Sequence, residues 1–282
     1  MASAGVGALA HTLSACTTVT EDYSATLKDS QGNAVEITKR YKSLGKALHA
    51  LQQEHSEFQL SVGVFNYADQ NTYVFTPEYR GYEASTVKVP LALTAMRQVF
   101  EQGNTLDSSV SENIKVSVGL SDNDATKAVF GSLGSDDESR AAEMNKTYDK
   151  LGISATRANA GWGANLTSAN DHLYIARAIY EGLDWVSEVD MQLLRDAMTA
   201  SDPASQGWGI GVLAKLDGAG ADSTDLDAAS HVLCKNGWLP DDLQKWYINS
   251  DGVVAYGEHT LAISVMSSGM QQQEDGQHFT SR

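Results

Sequence analysis

Alternation of apolar and polar residues with a period of two occurs near both ends of this chain and not in its middle, which narrows the possible folds more than any other feature. Leu60, Val62 and Val64 alternate with smaller or polar residues, Asp69-Gln70-Asn71 supplies turn chemistry, and Tyr73 to Thr76 resumes an extended pattern. Toward the other end, His231 to Cys234, Trp246 to Ala255 and Thr260 to Met266 read as strands, the last two joined at Tyr256-Gly257-Glu258. Helical spacing fills the interval. Ser85 opens an apolar helix that runs to about Glu101 and stops at Gly103. Ser135-Asp136-Asp137-Glu138 forms a capping box before a helix ending at Gly152, and Ser168 to Gly182 and Glu188 to Ala200 continue the pattern. One amphipathic helix, marked by Ile37, Tyr41, Leu44, Leu48 and Leu51, precedes the first strands. Strands that far apart bury their faces by joining one sheet, so the chain is expected to be α+β: an antiparallel sheet from both ends, flanked by helices, with a helical part inserted. The corresponding bounds are 34–104 and 215–282 for the sheet-containing part and 105–214 for the insertion. At 282 residues and 42% apolar composition, such a core needs no covalent staples.

A formal charge of -16 with no dense basic stripe argues against a nucleic-acid partner, because phosphate backbones are held by Lys and Arg clusters. Seven scattered His and two Cys show no H-x-x-x-H or C-x-x-C spacing, so no metal or other cofactor is expected. No apolar stretch is long enough to span a bilayer. Leu13-Ser14-Ala15-Cys16 resembles a bacterial lipobox, in which Cys16 is lipidated and becomes the first mature residue, although the short run before it contains His11 and no Lys or Arg. Residues 1–33 are accordingly read as signal, lipidation site and polar tether. The protein is then an extracytoplasmic monomer that meets a membrane only through this lipid. Nothing in the sequence supports a disulfide between Cys16 and Cys234.

Three short signatures carry the chemistry. In Ser85-Thr86-Val87-Lys88 a helix places residues i and i+3 on one face, so Lys88 returns its amine toward the Ser85 hydroxyl, which needs a base to act as a nucleophile. Burial and a neighbouring cation such as Lys235 would lower the pKa of Lys88 and leave it a neutral base. The motif alone is weak, since Ser43-Leu44-Gly45-Lys46 also matches it, but Val87, Val89, Leu91 and Leu93 bury the later copy. Ser121-Asp122-Asn123 lies between helical segments, with Asp122 expected to bond backbone donors at the turn. Lys235-Asn236-Gly237 stands on a strand, where Gly237 lets a substrate backbone come close.

In this order the signatures resemble those of class A β-lactamases and penicillin-binding proteins. The resemblance extends to Thr167-Ser168-Ala169-Asn170-Asp171 and covers nearly all of the chain from about Ile37. It implies a β-lactamase/transpeptidase-like fold and a serine hydrolase that forms an acyl-enzyme at Ser85 with a β-lactam or a peptidoglycan-derived D-alanyl peptide. Lys88 and Ser121 would join Ser85 in catalysis, Ser121 relaying a proton to the leaving nitrogen. Asn123, Lys235, Asn236, Gly237 and Trp238 would bind substrate, with the backbone N–H groups of Ser85 and Trp238 as oxyanion donors. Gly161-Trp162-Gly163 and Lys235-Asn236-Gly237-Trp238 are similar to β-lactamase-related lipoproteins of actinobacteria. The chain departs from the class A pattern in four places. No Asp or Glu occurs from Lys150 to Asn170, where the deacylating glutamate is expected, leaving Asp149 and Asp171 as nearby substitutes. Asn236 replaces a Ser or Thr, and Asp251 stands where an arginine is frequent and would repel a substrate carboxylate. The segment from Ser85 to Ser121 is short, so the helical part is reduced. Acylation with slow release is one expectation; a catalytically impaired cell-envelope binding or regulatory lipoprotein that keeps the fold is the alternative.

Overall fold

The computed structural model describes residues 24–159, 161–199, 206–215, 231–256 and 258–282. Cys16 and the turn residue Gly257 lie outside them. Among the described residues six strands form one antiparallel sheet: β1 (Ala25–Lys28), β2 (Gln59–Asn66), β3 (Asn71–Phe75), and three long C-terminal strands separated here from two minor ones. The minor pair is β4 (Gly81–Tyr82) with β5 (Leu166–Thr167); the long strands are β6 (His231–Pro240), β7 (Trp246–Tyr256) and β8 (His259–Met270). Their order is β1-β3-β2-β8-β7-β6, so the two ends of the chain meet at β2 and β8, paired from Gln59↔Ser268 to Asn66↔Leu261.

Alternation along β2 decides what each sheet face covers. Leu60, Val62 and Val64 turn toward α1 (Lys39–Glu54) and the C-terminal helix Gln273–Thr280, joining Tyr41, Tyr73, Ile248 and Phe279 in one core. Phe65 turns the other way, into a larger core built on α2 (Lys88–Glu101), α5 (Asp137–Lys150) and α6 (Ala169–Glu181). Val89, Leu91, Ala92, Leu93, Ala95 and Met96 bury α2 nearly all round, as befits a helix enclosed by its neighbours.

Three local expectations change. Ser85 does not open the α-helix: Ala84–Val87 is a 3-10 turn and α2 starts at Lys88, with Pro90 in its first turn, where a missing N–H costs nothing. The capping box falls one residue later, with Asp136 accepting from Ser139 N at 2.8 Å and Ser139 Oγ accepting from Asp136 N at 3.1 Å. Ala25–Lys28, inside the stretch read as tether, pairs with β3 from Ala25↔Phe75 to Lys28↔Thr72. Only Leu27 of this edge strand is buried, so one apolar residue suffices and the segment reads as polar.

Candidate active site

The turn that carries Ser85 is fixed by its backbone. Ala84 N donates to Gly163 O at 2.7 Å and Glu83 N to Asn165 O at 3.0 Å. From β7, Asn249 Nδ2 donates to Tyr82 O at 2.7 Å and Glu83 O at 3.1 Å. These bonds hold Ala84 at φ +51°, a left-handed conformation that costs a residue with a Cβ about 1–2 kcal/mol. Ser85 follows, half-buried, and Lys88 is buried.

The Lys88 amine is spoken for by a different segment. It donates to Ser121 O, to Ser121 Oγ at 3.1 Å and to Asn123 Oδ1 at 3.0 Å. Among the described residues the Ser85 hydroxyl has no hydrogen-bond partner, so the expected Lys88 to Ser85 bond is not formed. Catalytic hydrogen bonds commonly tighten only with substrate present. Ser121 lies between α3 (Ser108–Gly119) and α4 (Asn123–Ser132) at φ +60°, the second strained residue of the site. Asp122 caps α4 by accepting from Ala125 N at 2.8 Å, the structural task expected of it.

Lys235 reaches the same hydroxyl from β6, donating to Ser121 Oγ at 3.0 Å and to Asn236 O at 2.9 Å. One serine oxygen thus joins two buried amines. Burial lowers the pKa of Lys88 to about 8, against a smaller opposing pull from Asp122. Burial, then the charge of Lys88, pushes Lys235 well below the ordinary lysine range. The repulsion between the lysines therefore weighs on Lys235, where the sequence had placed it on Lys88.

The rest of the third signature divides between two faces, because neighbours on a strand point in opposite directions. Lys235 faces Ser121, so Asn236 faces away. Its Nδ2 donates to Trp208 O at 2.9 Å, and its Oδ1 accepts from Ser250 Oγ at 2.6 Å and Cys234 Sγ at 3.3 Å. Asn236 is fully buried and is not placed to meet a substrate carboxylate. A Cβ on Gly237 would stand 2.8 Å from both Ser85 N and Thr86 N, so this glycine admits the Ser85 turn. Asn236 N donates outward to Gln206 Oε1 at 2.8 Å; by strand alternation the N–H of Trp238 faces the same edge. The indole of Trp238 packs edge-on against Trp208 at 6.0 Å.

Asp251 is also elsewhere than expected. It is buried opposite Lys235 and forms an ion pair with His172 Nδ1 at 2.8 Å, so it does not face a ligand carboxylate. On its other side, His172 Nε2 lies 3.4 Å from Glu83 Oε1. Glu83, two residues before Ser85, also accepts from Tyr148 OH at 2.8 Å and Asn165 Nδ2 at 2.8 Å. Burial opposes a charged His172, but Asp251 and Glu83 outweigh it and raise its pKa to about 10. Sequence reasoning missed Glu83, Tyr148, Asn165 and His172. The available signal was an acid immediately before a buried turn and a histidine within an apolar helix.

Neither carboxylate offered as a substitute base serves the turn. Asp149 pairs with Arg157 at 2.8 Å on the surface, and Asp171 accepts from Thr156 Oγ1 at 2.7 Å. The acid-free loop instead brings the indole of Trp162 over Lys88, with Nζ 5.7 Å from the ring centroid. Ser168 caps α6, accepting from Asp171 N at 3.1 Å.

No protein-family model matches the sequence, and no curated protein matches it. Solved structures match in three dimensions. A variant of TLA-1 extended-spectrum β-lactamase aligns at a TM-score of 0.68 and 17% identity, over 86% of this chain and 95% of that one. The β-lactamase from Sphaerobacter thermophilus aligns at 0.64 and 15% identity, over 83% and 92%. A PBP-A mutant in its acyl-enzyme complex with penicillin G aligns at 0.63 and 16% identity, over 84% and 93%. The chain has the β-lactamase/transpeptidase-like fold, with an antiparallel sheet flanked by helices.

Proposed function

We propose that this protein is a serine hydrolase of the β-lactamase and DD-peptidase type, acylated at Ser85 by β-lactams or D-alanyl peptides and deacylated slowly. The observation that carries this reading is the Ser121 hydroxyl held between Lys88 and Lys235 beside the Ser85 turn. A lysine that loses its proton near pH 8 is mostly protonated at pH 7, and the minor neutral fraction, roughly a tenth, is the form that acts as base. Lys88 takes the Ser85 proton as Oγ attacks the carbonyl, and the N–H groups of Ser85 and Trp238 receive the oxyanion. Ser121 passes the proton on to the nitrogen as the amide bond breaks, leaving an ester at Ser85. Water then releases the acyl group without a carboxylate from the 150–170 loop to activate it.

Trp162 also favours a second reading, a cell-envelope binding or regulatory lipoprotein that has lost turnover, because an aromatic face over Lys88 supports its charged form. In both readings the protein is an extracytoplasmic monomer lipidated at Cys16. Intact mass spectrometry after incubation with penicillins separates them. The hydrolase gains one acyl group that Ser85→Ala abolishes and that is lost slowly; absence of any adduct across several β-lactams sinks the first reading. Fatty-acid labelling that survives Cys16→Ser would refute the lipid assignment.

A further inference from the structure

We propose that Glu83 is a positioning residue: its carboxylate latches residues 161–165 onto the turn that carries Ser85, so that one buried side chain keeps Ser85 aligned and Trp162 over Lys88. The role in attack rests on the acyl-transfer reading; the latch itself does not, and the two are tested apart.

Turn and loop meet as a short antiparallel ladder. Gly81↔Thr167 and Tyr82↔Leu166 pair as β4 and β5, and Glu83 N and Ala84 N extend the ladder to Asn165 O and Gly163 O. A ladder of this length is weak by itself, because each bond replaces one made with water. Glu83 supplies what the ladder lacks. Its Oε2 accepts from Asn165 Nδ2 at 2.8 Å, so the same two residues are joined through backbone and side chain. Its Oε1 accepts from Tyr148 OH at 2.8 Å, which ties the pair to α5. His172 Nε2 lies 3.4 Å from that oxygen without an aligned bond, adding attraction but no direction. Glu83 is 0% exposed and Asn165 1%, so loss of the Asn165 donor leaves a buried carboxylate oxygen with no water to replace it.

What the latch controls follows from where it sits. Trp162 stands between Gly161 and Gly163, the latter at φ +89°, and backbone of that kind does not hold an indole in place unaided. Asn165 Oδ1 accepts from Asn159 N at 3.3 Å, closing the loop across Trp162. The entering limb is pinned separately: Asn145 donates to Ala158 O at 3.1 Å and accepts from Ala158 N at 2.9 Å. The leaving limb depends on Glu83. On the turn, Ala84 keeps its left-handed φ while its N–H is bound to Gly163 O, so a freed loop lets Ala84 relax and Ser85 move with it. Asn249 holds the carbonyls of Tyr82 and Glu83 from β7, so the turn is anchored to the sheet and the loop is anchored to the turn.

The test removes the donor and then rebuilds the bond with its polarity reversed. Asn165→Leu keeps nearly the same volume and leaves Glu83 Oε2 without a donor. In the double variant Glu83→Gln, Asn165→Asp, the new amide donates to the new carboxylate while Tyr148 still donates to the amide oxygen. Acrylamide quenching of Trp162, isolated by subtracting the same protein carrying Trp162→Phe, is read in folded protein without substrate, beside the unfolding midpoint in denaturant. Acylation by a fluorescent penicillin is followed by stopped flow. Asn165→Leu is expected to raise the quenching constant severalfold and to slow acylation by roughly tenfold to a hundredfold, the cost of a misplaced reacting group, and the double variant to return both toward wild type. A lowered midpoint with unchanged quenching means a merely structural bond and overturns the proposal, as does a double variant no nearer wild type than Asn165→Leu. Raised quenching with unchanged acylation overturns the positioning role. If Asn165→Leu does not fold, Asn165→Ala, smaller and equally without a donor, is read by the same criteria. If no β-lactam acylates the wild type, the hydrolase reading falls, while the quenching still judges the latch.

Discussion

On the side of Ser85 that faces α4 and β6, groups from positions 88, 121 and 235 share one hydroxyl; on the side facing the 150–170 loop, Lys88 meets the indole of Trp162. The first side is made of lone pairs and N–H donors bonded to one another around Ser121, the kind of group that relays a proton. The second offers a flat apolar ring, which neither accepts a proton nor orients a water. In the proposed reaction, attack and release therefore draw on different sides of Ser85, one furnished with polar groups and the other bare of a carboxylate.

The hardest blow to this contrast is removal of the lysine. Lys88→Ala should slow acylation by about 10²–10⁴, the usual range for a lost general base, in a stopped-flow assay with fluorescent penicillin. In the wild type, the rate should climb with pH up to about 8, as the amine loses its proton, and level off above; a rate flat from pH 6 to 9 contradicts a lysine base. The bare side can be furnished. Trp162→Glu should speed release of the acyl group by roughly tenfold or more, followed as loss of mass adduct with time. Unchanged release would mean that something other than a missing carboxylate limits it. Gly237→Ala probes the seam between the sides: its methyl meets Ser85 N and Thr86 N, and about 1–3 kcal/mol should be lost in denaturant unfolding. Smallest is Asp122→Ala, which removes a helix cap for about 1 kcal/mol and leaves the serine signature otherwise intact.

That Lys88, Ser121 and Lys235 meet was legible because each signature is short and sits at a boundary that local patterning reveals. The structure brings Lys88, Ser121 and Lys235 together. Asn236 was readable too, though only through alternation: once Lys235 is assigned to the cleft face, its neighbour is committed to the other. Taking the tripeptide as one unit hid that. Glu83 and His172 lie 89 positions apart, and nothing local says that two buried ionisable side chains will find each other. β1 escaped because an edge strand buries one face and needs few apolar residues. The antiparallel joining of the two ends followed from the periods alone.

The close approach of Gly237 to the turn at Ser85 and Thr86 bears on when the site is assembled during folding. Some 150 residues separate the two backbones along the chain, so closing that gap is among the slowest kinds of folding event. A nascent or half-folded chain holds its serine and its first lysine without the strand that braces them. Under the proposed function, reactivity toward acyl donors requires the C-terminal hairpins to be in place, so acylation by a fluorescent penicillin would report a folded chain.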